Sequence, residues 1–342
     1  MPGRQAPEVA LFLDDPRPLE ELERLDPERD WRELVRGERV WILKTFLHLR
    51  AAGHPVRLAA AAPRSGLVVF HAKQRGALAR SLAAQGLRVP RSVLIGVRGD
   101  LRQPMIADFE ILQSARWAGP RRFAVTHWPQ GGLVPRDPAR GQRIERVAFK
   151  GFAANLAASF RAAAWADELA RRGLTWRADS VAFAGLATDQ GALDWNDYSQ
   201  VDLVVAVRPP DRRLWTSKPA TKLINAWRAG VPAILGPEHA YRELRRSPLD
   251  YLEVESAAEA LAAIDRLREN SALYRAMALR GLERAAEVTV EAVTGRWAQV
   301  LFDLVPARLA ADRGLARLRR WPLPLRALAR RAARLAELRP AR

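Results

Sequence analysis

The stretch "SKPATKLINAWRAGVPAILGP", Ser217 to Pro237, decides the reading of the fold. Ser217 can cap a helix, Pro219 suits its first turn, and Gly230 with Pro232 ends it, so the spacing predicts a helix that stops and turns directly into a strand. Ala220, Leu223, Ile224 and Trp227 form its apolar stripe. Lys218, Thr221, Lys222 and Asn225 fall on the opposite face. Those two lysines are exceptional, because the chain has only five, Lys44, Lys73, Lys150, Lys218 and Lys222, and its other basic residues are arginines. Placed four apart at a helix start they repel each other and oppose the helix dipole, at a cost of roughly 0.5 to 1.5 kcal/mol. An anion reverses that sign. Two ammonium groups, free amide hydrogens and two hydroxyls together predict a phosphate-binding corner, against the alternative of a solvated basic face.

Working outward, short β-rich runs alternate with helical patterns along the whole chain, which predicts parallel α/β architecture. The first series contains "VALFL", a helix over "GERVWILKTFLHLRAAG", "VRLA", "GLVVF", a helix over "GALARSLAAQG", "SVLIGV" and "FAVTH". A Pro- and Gly-rich segment, Trp128 to Arg143, reads as a linker. The second series contains "RVAFKG", a long Ala-rich helix from Asn155 to Arg172, "SVAFAG", "VDLVVAV", the opening helix, "VPAIL", "YLEV" and three further helices to about Leu304. The expected plan is two open, Rossmann-like α/β units, 1–143 and 144–288. Residues 289–305 are read as a further helix, and 306–342 as a basic tail. At 342 residues, two domains are the default.

Ligands of open α/β sheets bind beyond the carboxyl ends of the strands. The residues leaving the strands are therefore the candidates: His71, Arg98, Asp100, His127, Lys150, Gly151, Arg208, Gly236 and Glu238.

The segment "INAWRAGVPAIL" resembles the nucleotide-sugar domain of GT-B glycosyltransferases, where such a helix lies beneath the donor. "FKGFAANL" resembles the strand, turn and helix that open the same domain, and "VTVEAVTGRWAQVLFDLV" the helix that returns to the first. The resemblance spans about Val147 to Leu304 and implies two Rossmann-like domains facing a cleft, 1–143 on the acceptor side and 144–288 for the nucleotide sugar, with 289–305 as the helix returning to the first. It implies donor contacts from Lys150, Gly151, Asn155, Arg208, Ser217, Lys218, Thr221, Lys222, Asn225, Gly236 and Glu238. Retaining members hold the donor with two glutamates eight apart. Here those positions are Ser217 and Asn225, so ribose would meet an amide instead of a carboxylate. No Asp-x-Asp triplet occurs, and "DWND" has the wrong spacing for one, so no metal and no cofactor are expected beyond the nucleotide sugar as co-substrate. Leaving-group charge would fall to Lys150, Lys218, Lys222 and Arg208.

For an inverting reaction the catalytic base is expected from His71, Asp100 or His127, and Trp128 is the tryptophan expected to line the cleft. The formal net charge is +18, half of it in the tail, where eleven arginines from Pro306 to Arg342 face only Asp312 and Glu337. Leu325, Leu328, Ala332 and Leu335 form a stripe there, which reads either as a basic amphipathic helix on an anionic membrane or as a helix capping the first domain. Absent cysteines exclude disulfides and thiolate chemistry. No apolar run approaches the ~20 residues of a spanning helix. The expectation is a cytoplasmic glycosyltransferase, peripheral at the inner face of the membrane, acting on a glycan or lipid-linked acceptor. The alternatives are a nucleic-acid-binding protein using the tail, with salt-sensitive affinity, and a catalytically idle sugar-binding relative.

Overall fold

A computed structural model of the chain describes residues 8–35, 37–99, 101, 103–181, 194–210 and 218–337. Contacts group it into two units, Met1–Trp128 with Val290–Arg342, and Pro129–Thr289.

The first unit opens with β1 (Val9–Phe12), α1 (Leu19–Leu22), α2 (Lys44–Ala51), β2 (Val56–Ala59), β3 (Leu67–His71), α3 (Arg75–Ala84), β4 (Val93–Val97), β5 (Phe109–Leu112) and β6 (Arg122–Ala124). The strands form one sheet in the order β2-β1-β3-β4-β5-β6, all pairs parallel. β1, β3, β4 and β5 are buried at every position. Helices on both faces of a parallel sheet require such continuous burial, and the runs of Val, Leu, Ile and Phe supply it. β5 has no counterpart in the sequence reading, because its four residues include the buried Glu110. β6 stops at Ala124, short of the expected "FAVTH" strand.

The second unit contains β7 (Arg146–Phe152), α4 (Ala163–Arg171), β8 (Thr175–Val181), β9 (Leu203–Ala206), α5 (Thr221–Ala229), β10 (Ala233–Leu235), α6 (His239–Leu244), β11 (Leu252–Glu253), α7 (Ala257–Glu269) and α8 (Ser271–Ala285). Its sheet runs β11-β10-β9-β7-β8, again parallel throughout. Two expectations are corrected. The expected helix from Asn155 begins only at Ala163, because the Ala157 amide donates to the Val207 carbonyl at 2.8 Å and pins the intervening loop to the end of β9. The strand expected over "SVAFAG" starts earlier, as β8 from Thr175, paired residue for residue with β7 from Arg146↔Thr175 to Phe152↔Val181, and its residues 182–185 lie outside the described residues. An edge strand covered on one face alternates polar and apolar residues, and "TWRAD", Thr175 to Asp179, does so.

The chain then returns to the first unit through α9 (Val290–Ala298), which continues as a wider turn over Gln299–Leu304, then α10 (Val305–Ala311), α11 (Arg313–Leu318) and α12 (Leu323–Glu337). Val293, Trp297, Val300, Leu301, Val305 and Leu315 complete the core built by Trp41, Phe46 and the strands. Trp297 lies 6.3 Å from Trp41, centroid to centroid.

The segment expected as a linker is tied into the second unit. Asp202, fully buried before β9, accepts hydrogen bonds from Arg136 at 2.8 Å, from Arg140 at 2.7 Å, and from the backbone amides of Glu145 and Arg146 at 2.9 and 3.0 Å. Burial alone would raise the Asp202 pKa, but Arg140, the Glu145 amide and Arg136 together hold it below the ordinary 3.8. A carboxyl with a depressed folded pKa contributes stability in full above the unfolded value and loses it as pH falls through the folded one. We predict that Asp202→Asn, which leaves Arg136 without its counter-charge and Arg140 with only the exposed Glu145, lowers the unfolding free energy by about 3 to 5 kcal/mol. Urea denaturation at pH 7 measures this, and an unchanged midpoint would refute it.

Candidate active site

Strand order locates the site in the second unit. β8 lies on one side of β7 and β9 on the other, so the order reverses between β7 and β9, the place beyond whose carboxyl ends open α/β sheets bind their ligands. Gly151 and Arg208 leave the sheet at this point, beside Gly236 and Glu238 leaving β10.

Gly151 has φ +145°, a conformation that side chains rarely adopt. A Cβ there would also stand 3.3 Å from both Cε and Nζ of Lys222. The glycine therefore lets a lysine from α5 lie across the end of β7. The Lys222 ammonium is 5.3 Å from the centre of the Phe149 ring, a cation–π contact. It pairs with no carboxylate among the described residues. Burial pulls its pKa down to about 7; Arg208 pushes the same way, Glu238 opposes, and Lys218 adds to the depression.

Arg208 is buried and held on two sides. Its Nε donates to Glu238 Oε2 at 2.6 Å, and its Nη1 donates to Asn155 Oδ1. Asn155 thus joins the cluster from a short turn, Ala153–Asn155, and not from the first turn of a helix as expected. The Glu238 side chain is almost wholly enclosed, and its second oxygen, Oε1, has no hydrogen-bond partner among the described residues. Tyr241 lies alongside, and burial together with the Glu238 charge raises its phenol pKa well above 10.

The opening stretch is partly corrected. α5 begins at Thr221, after Pro219, and its cap position is Ala220, which has no side chain to accept a bond. Ser217 lies outside the described residues. Lys218 and Thr221 stand partly buried at the helix entrance. Asn225 is buried; its Oδ1 accepts the Gln130 amide at 3.3 Å, and it shares a hydrogen bond with the Tyr198 hydroxyl. Its amide is thereby fixed in place. Lys150 does not join the cationic group. It lies in register with Asp179 of β8, donates to that carboxylate at 2.6 Å and to the Asp194 carbonyl at 2.6 Å, and sits 5.2 Å from the centre of the Tyr198 ring. Side chains alternate along a strand, so Phe149 and Lys150 face opposite sides and Lys150 is neutralised there.

The first unit repeats the topological rule. Its order reverses between β1 and β3, and His71 ends β3, buried at that point. A Cβ on Gly99 would lie 3.4 Å from His71 Nε2 and 3.3 Å from Trp41 Nε1, so the two rings share one corner. The His127 ring meets Trp41 edge-on at 5.0 Å, and its Nδ1 is 2.7 Å from the Trp128 carbonyl. Asp100 lies outside the described residues. Trp128 is no cleft residue: it is fully buried, donates to Thr45 Oγ1 at 2.9 Å and packs 4.6 Å from His48. Sequence reasoning missed the neighbouring Asp15, whose carboxylate takes two bonds from Arg39 at 2.8 and 2.9 Å, because the partners are far apart in the chain. Glu38, bonded by Lys73 at 3.2 Å, enters the same corner; burial opposes its ionisation, yet its own amide, Lys73 and nearby His71 hold its pKa below 4.5.

Among the described residues no group of three His, Asp or Glu side chains is arranged to hold a metal.

No family model matches the chain, and no curated protein does. Solved structures do. HepE of Anabaena, solved with UDP-glucose, is similar at TM-score 0.53 and 12% identity over 86% of this chain and 99% of that one. Sucrose-phosphate synthase of Thermosynechococcus elongatus is similar at TM-score 0.55 and 13% identity over 88% of this chain and 100% of that one. These similarities show the fold, which is that of the GT-B glycosyltransferases.

The chain has only five lysines, so the Lys222 titration can be followed directly by NMR of lysine-labelled protein. We expect one ammonium to titrate near pH 7, to vanish from the spectrum in Lys222→Arg, and to move to still lower pH in Glu238→Gln, which removes the one opposing charge. Five lysines all titrating near 10.4 would refute the geometry.

Proposed function

We propose that the chain transfers a sugar from a nucleotide diphosphate sugar to a glycan or lipid-linked acceptor without the help of a metal ion. The observation that carries this reading is the Lys222 ammonium laid against Gly151 at the switch point, beside Arg208. Two cations with one buried carboxylate between them leave positive charge uncompensated, and a diphosphate answers it. The neighbouring folds support the same chemistry, since HepE was solved with UDP-glucose.

In this reading the donor diphosphate lies over the end of β7, where Gly151 permits close backbone approach. Lys222, Lys218 and the first amides of α5 receive its oxygens. Glu238 and Asn155 hold the Arg208 guanidinium in one orientation, so it needs no reorganisation as charge builds on the leaving phosphate. That is the work a divalent cation does in other sugar transferases. Diphosphate binding would also return Lys222 to its protonated form, so donor affinity should fall as pH rises through about 7. Asn225, already fixed by Gln130 and Tyr198, replaces a carboxylate at the ribose. If the reaction inverts, the base comes from the corner holding His71 and His127. A lipid-linked acceptor would place the protein peripherally at the inner membrane face.

The nucleic-acid reading loses support from the tail itself. Arg319, Arg326 and Arg330 are engaged by Asp108 and backbone carbonyls, which leaves fewer charges for a polyanion.

Thermal-shift assays with UDP-glucose in excess EDTA test the proposal, because a ligand that binds only the native state raises its stability by about 2.7 kcal/mol at a hundred times Kd. We expect a shift in EDTA that is unchanged by added magnesium. Calorimetry on Lys222→Ala should show donor affinity reduced at least about tenfold, roughly 1.4 kcal/mol. A shift that appears only with magnesium, or affinity unchanged in the variant, would overturn the metal-free reading; no shift with any of a panel of nucleotide sugars would overturn the donor assignment.

A further inference from the structure

α12 docks with its charged side inward. An amphipathic helix ordinarily buries its leucines and leaves arginines in water. Here Arg326 is fully buried, donating from Nε to the Trp321 carbonyl at 2.9 Å and from Nη2 to the Pro90 carbonyl at 3.3 Å and to the Arg319 carbonyl. One turn on, Arg330 donates to Asp108 Oδ1 at 2.6 Å and to the Met105 carbonyl at 3.1 Å. Arg319 Nε approaches the same carboxylate at 3.6 Å, and Asp108 itself accepts the Leu94 amide at 2.9 Å. The helix entrance is fastened too: Leu323 packs against Phe12, Phe70 and Leu82, and its amide donates to the Arg88 carbonyl at 3.0 Å.

Residues 326 and 330 share one side of the helix, so residues 325, 328 and 332 share the other. Leu325 is 48% exposed and Leu328 61%. Trp321, 50% exposed, precedes the helix, and Val89, 41% exposed, follows the Arg88 that receives the Leu323 amide. These four are half of the eight large apolar side chains exposed among the described residues. The charges around them have one sign. Arg313 to Ala336 holds eight arginines and no acidic residue. Of these, Arg313, Arg317, Arg320 and Arg331 are exposed, as are Arg88 and Arg91 beside Val89.

We infer that this outward face of α12, with Trp321 and Val89, is a docking surface for an anionic lipid bilayer. Leucine and tryptophan side chains would enter the boundary between headgroups and acyl chains, while the surrounding arginines meet lipid phosphates. An anionic bilayer answers the exposed leucines and the exposed arginines together. The arginine clamp on Asp108 has a matching role: it prevents the helix from rolling its leucines inward, so the face stays presented without a bilayer. This inference does not depend on sugar transfer, and its test uses no nucleotide sugar.

Full-length protein is sedimented with phosphatidylcholine vesicles, with and without 30% phosphatidylglycerol as the probe composition, a fraction of roughly the order found in anionic membranes. We expect binding to the anionic vesicles, loss of most of it in about 0.5 M salt, and little binding to the neutral ones. Leu325→Glu with Leu328→Glu changes only exposed positions, so the fold should persist by circular dichroism while the vesicle-bound fraction falls at least about tenfold. Arg317→Gln with Arg320→Gln should weaken binding as well, without touching the clamp. Absence of binding by the unaltered protein, equal binding to both vesicle types, or full binding by the leucine variant would each overturn the inference. Light scattering covers the remaining occupant: a dimer that dissociates in the leucine variant would assign this face to a second copy of the chain instead.

Discussion

Lys222 and Arg208 stand beside a single buried carboxylate, Glu238, and this imbalance of charge constrains the whole second unit. Removing a cation from water is costly, and here it is only half compensated. The surrounding structure makes the arrangement bearable. Glycine at position 151 leaves room for the lysine, the Phe149 ring supplies a polarisable face, and Asn155 and Glu238 saturate part of the guanidinium. Phe149, Gly151 and Asn155 come from β7 and its exit, Arg208 from the exit of β9 and Glu238 from that of β10, so the cluster exists only when β7, β9 and β10 lie side by side. A cluster that is poor in counter-charge and built from several strands is the kind of strain that folds keep for a ligand.

Both units obey one topological rule. Each sheet reverses its strand order next to its first strand, and each reversal gathers titratable side chains: cations in the second unit, His71, Glu38 and the Asp15–Arg39 pair in the first. The two corners differ in kind. One gathers uncompensated positive charge, the other a histidine between ion pairs.

Much of this was legible in the sequence because the signals were local. Gly230 and Pro232 fixed the end of α5, apolar runs fixed the central strands, and the strand-exit rule found Gly151, Arg208 and Glu238. What the sequence concealed was pairing at long range. Lys150 looks like a phosphate ligand until Asp179, 29 residues on, is set beside it by the register of β7 and β8. The Ala-rich run after Asn155 has high helix propensity, but the bond from Ala157 to Val207 overrides it for two turns. Trp128 sits in a segment that reads as linker, yet its indole is spoken for by Thr45, 83 residues earlier. The tail shows the same limit from another side: its periodicity identified a two-faced helix, and only Asp108 determines which face turns inward.

The discontinuity of the first unit has a consequence for biosynthesis. Its core needs Trp297, Val300 and Leu301, which leave the ribosome after all of Pro129–Thr289 has been made. The inserted unit is complete in one continuous stretch of chain, whereas the opening 128 residues, although they carry all six strands of their sheet, must wait for the helices after Val290 that complete its core. A nascent chain in that state exposes the apolar flank that α9 later covers.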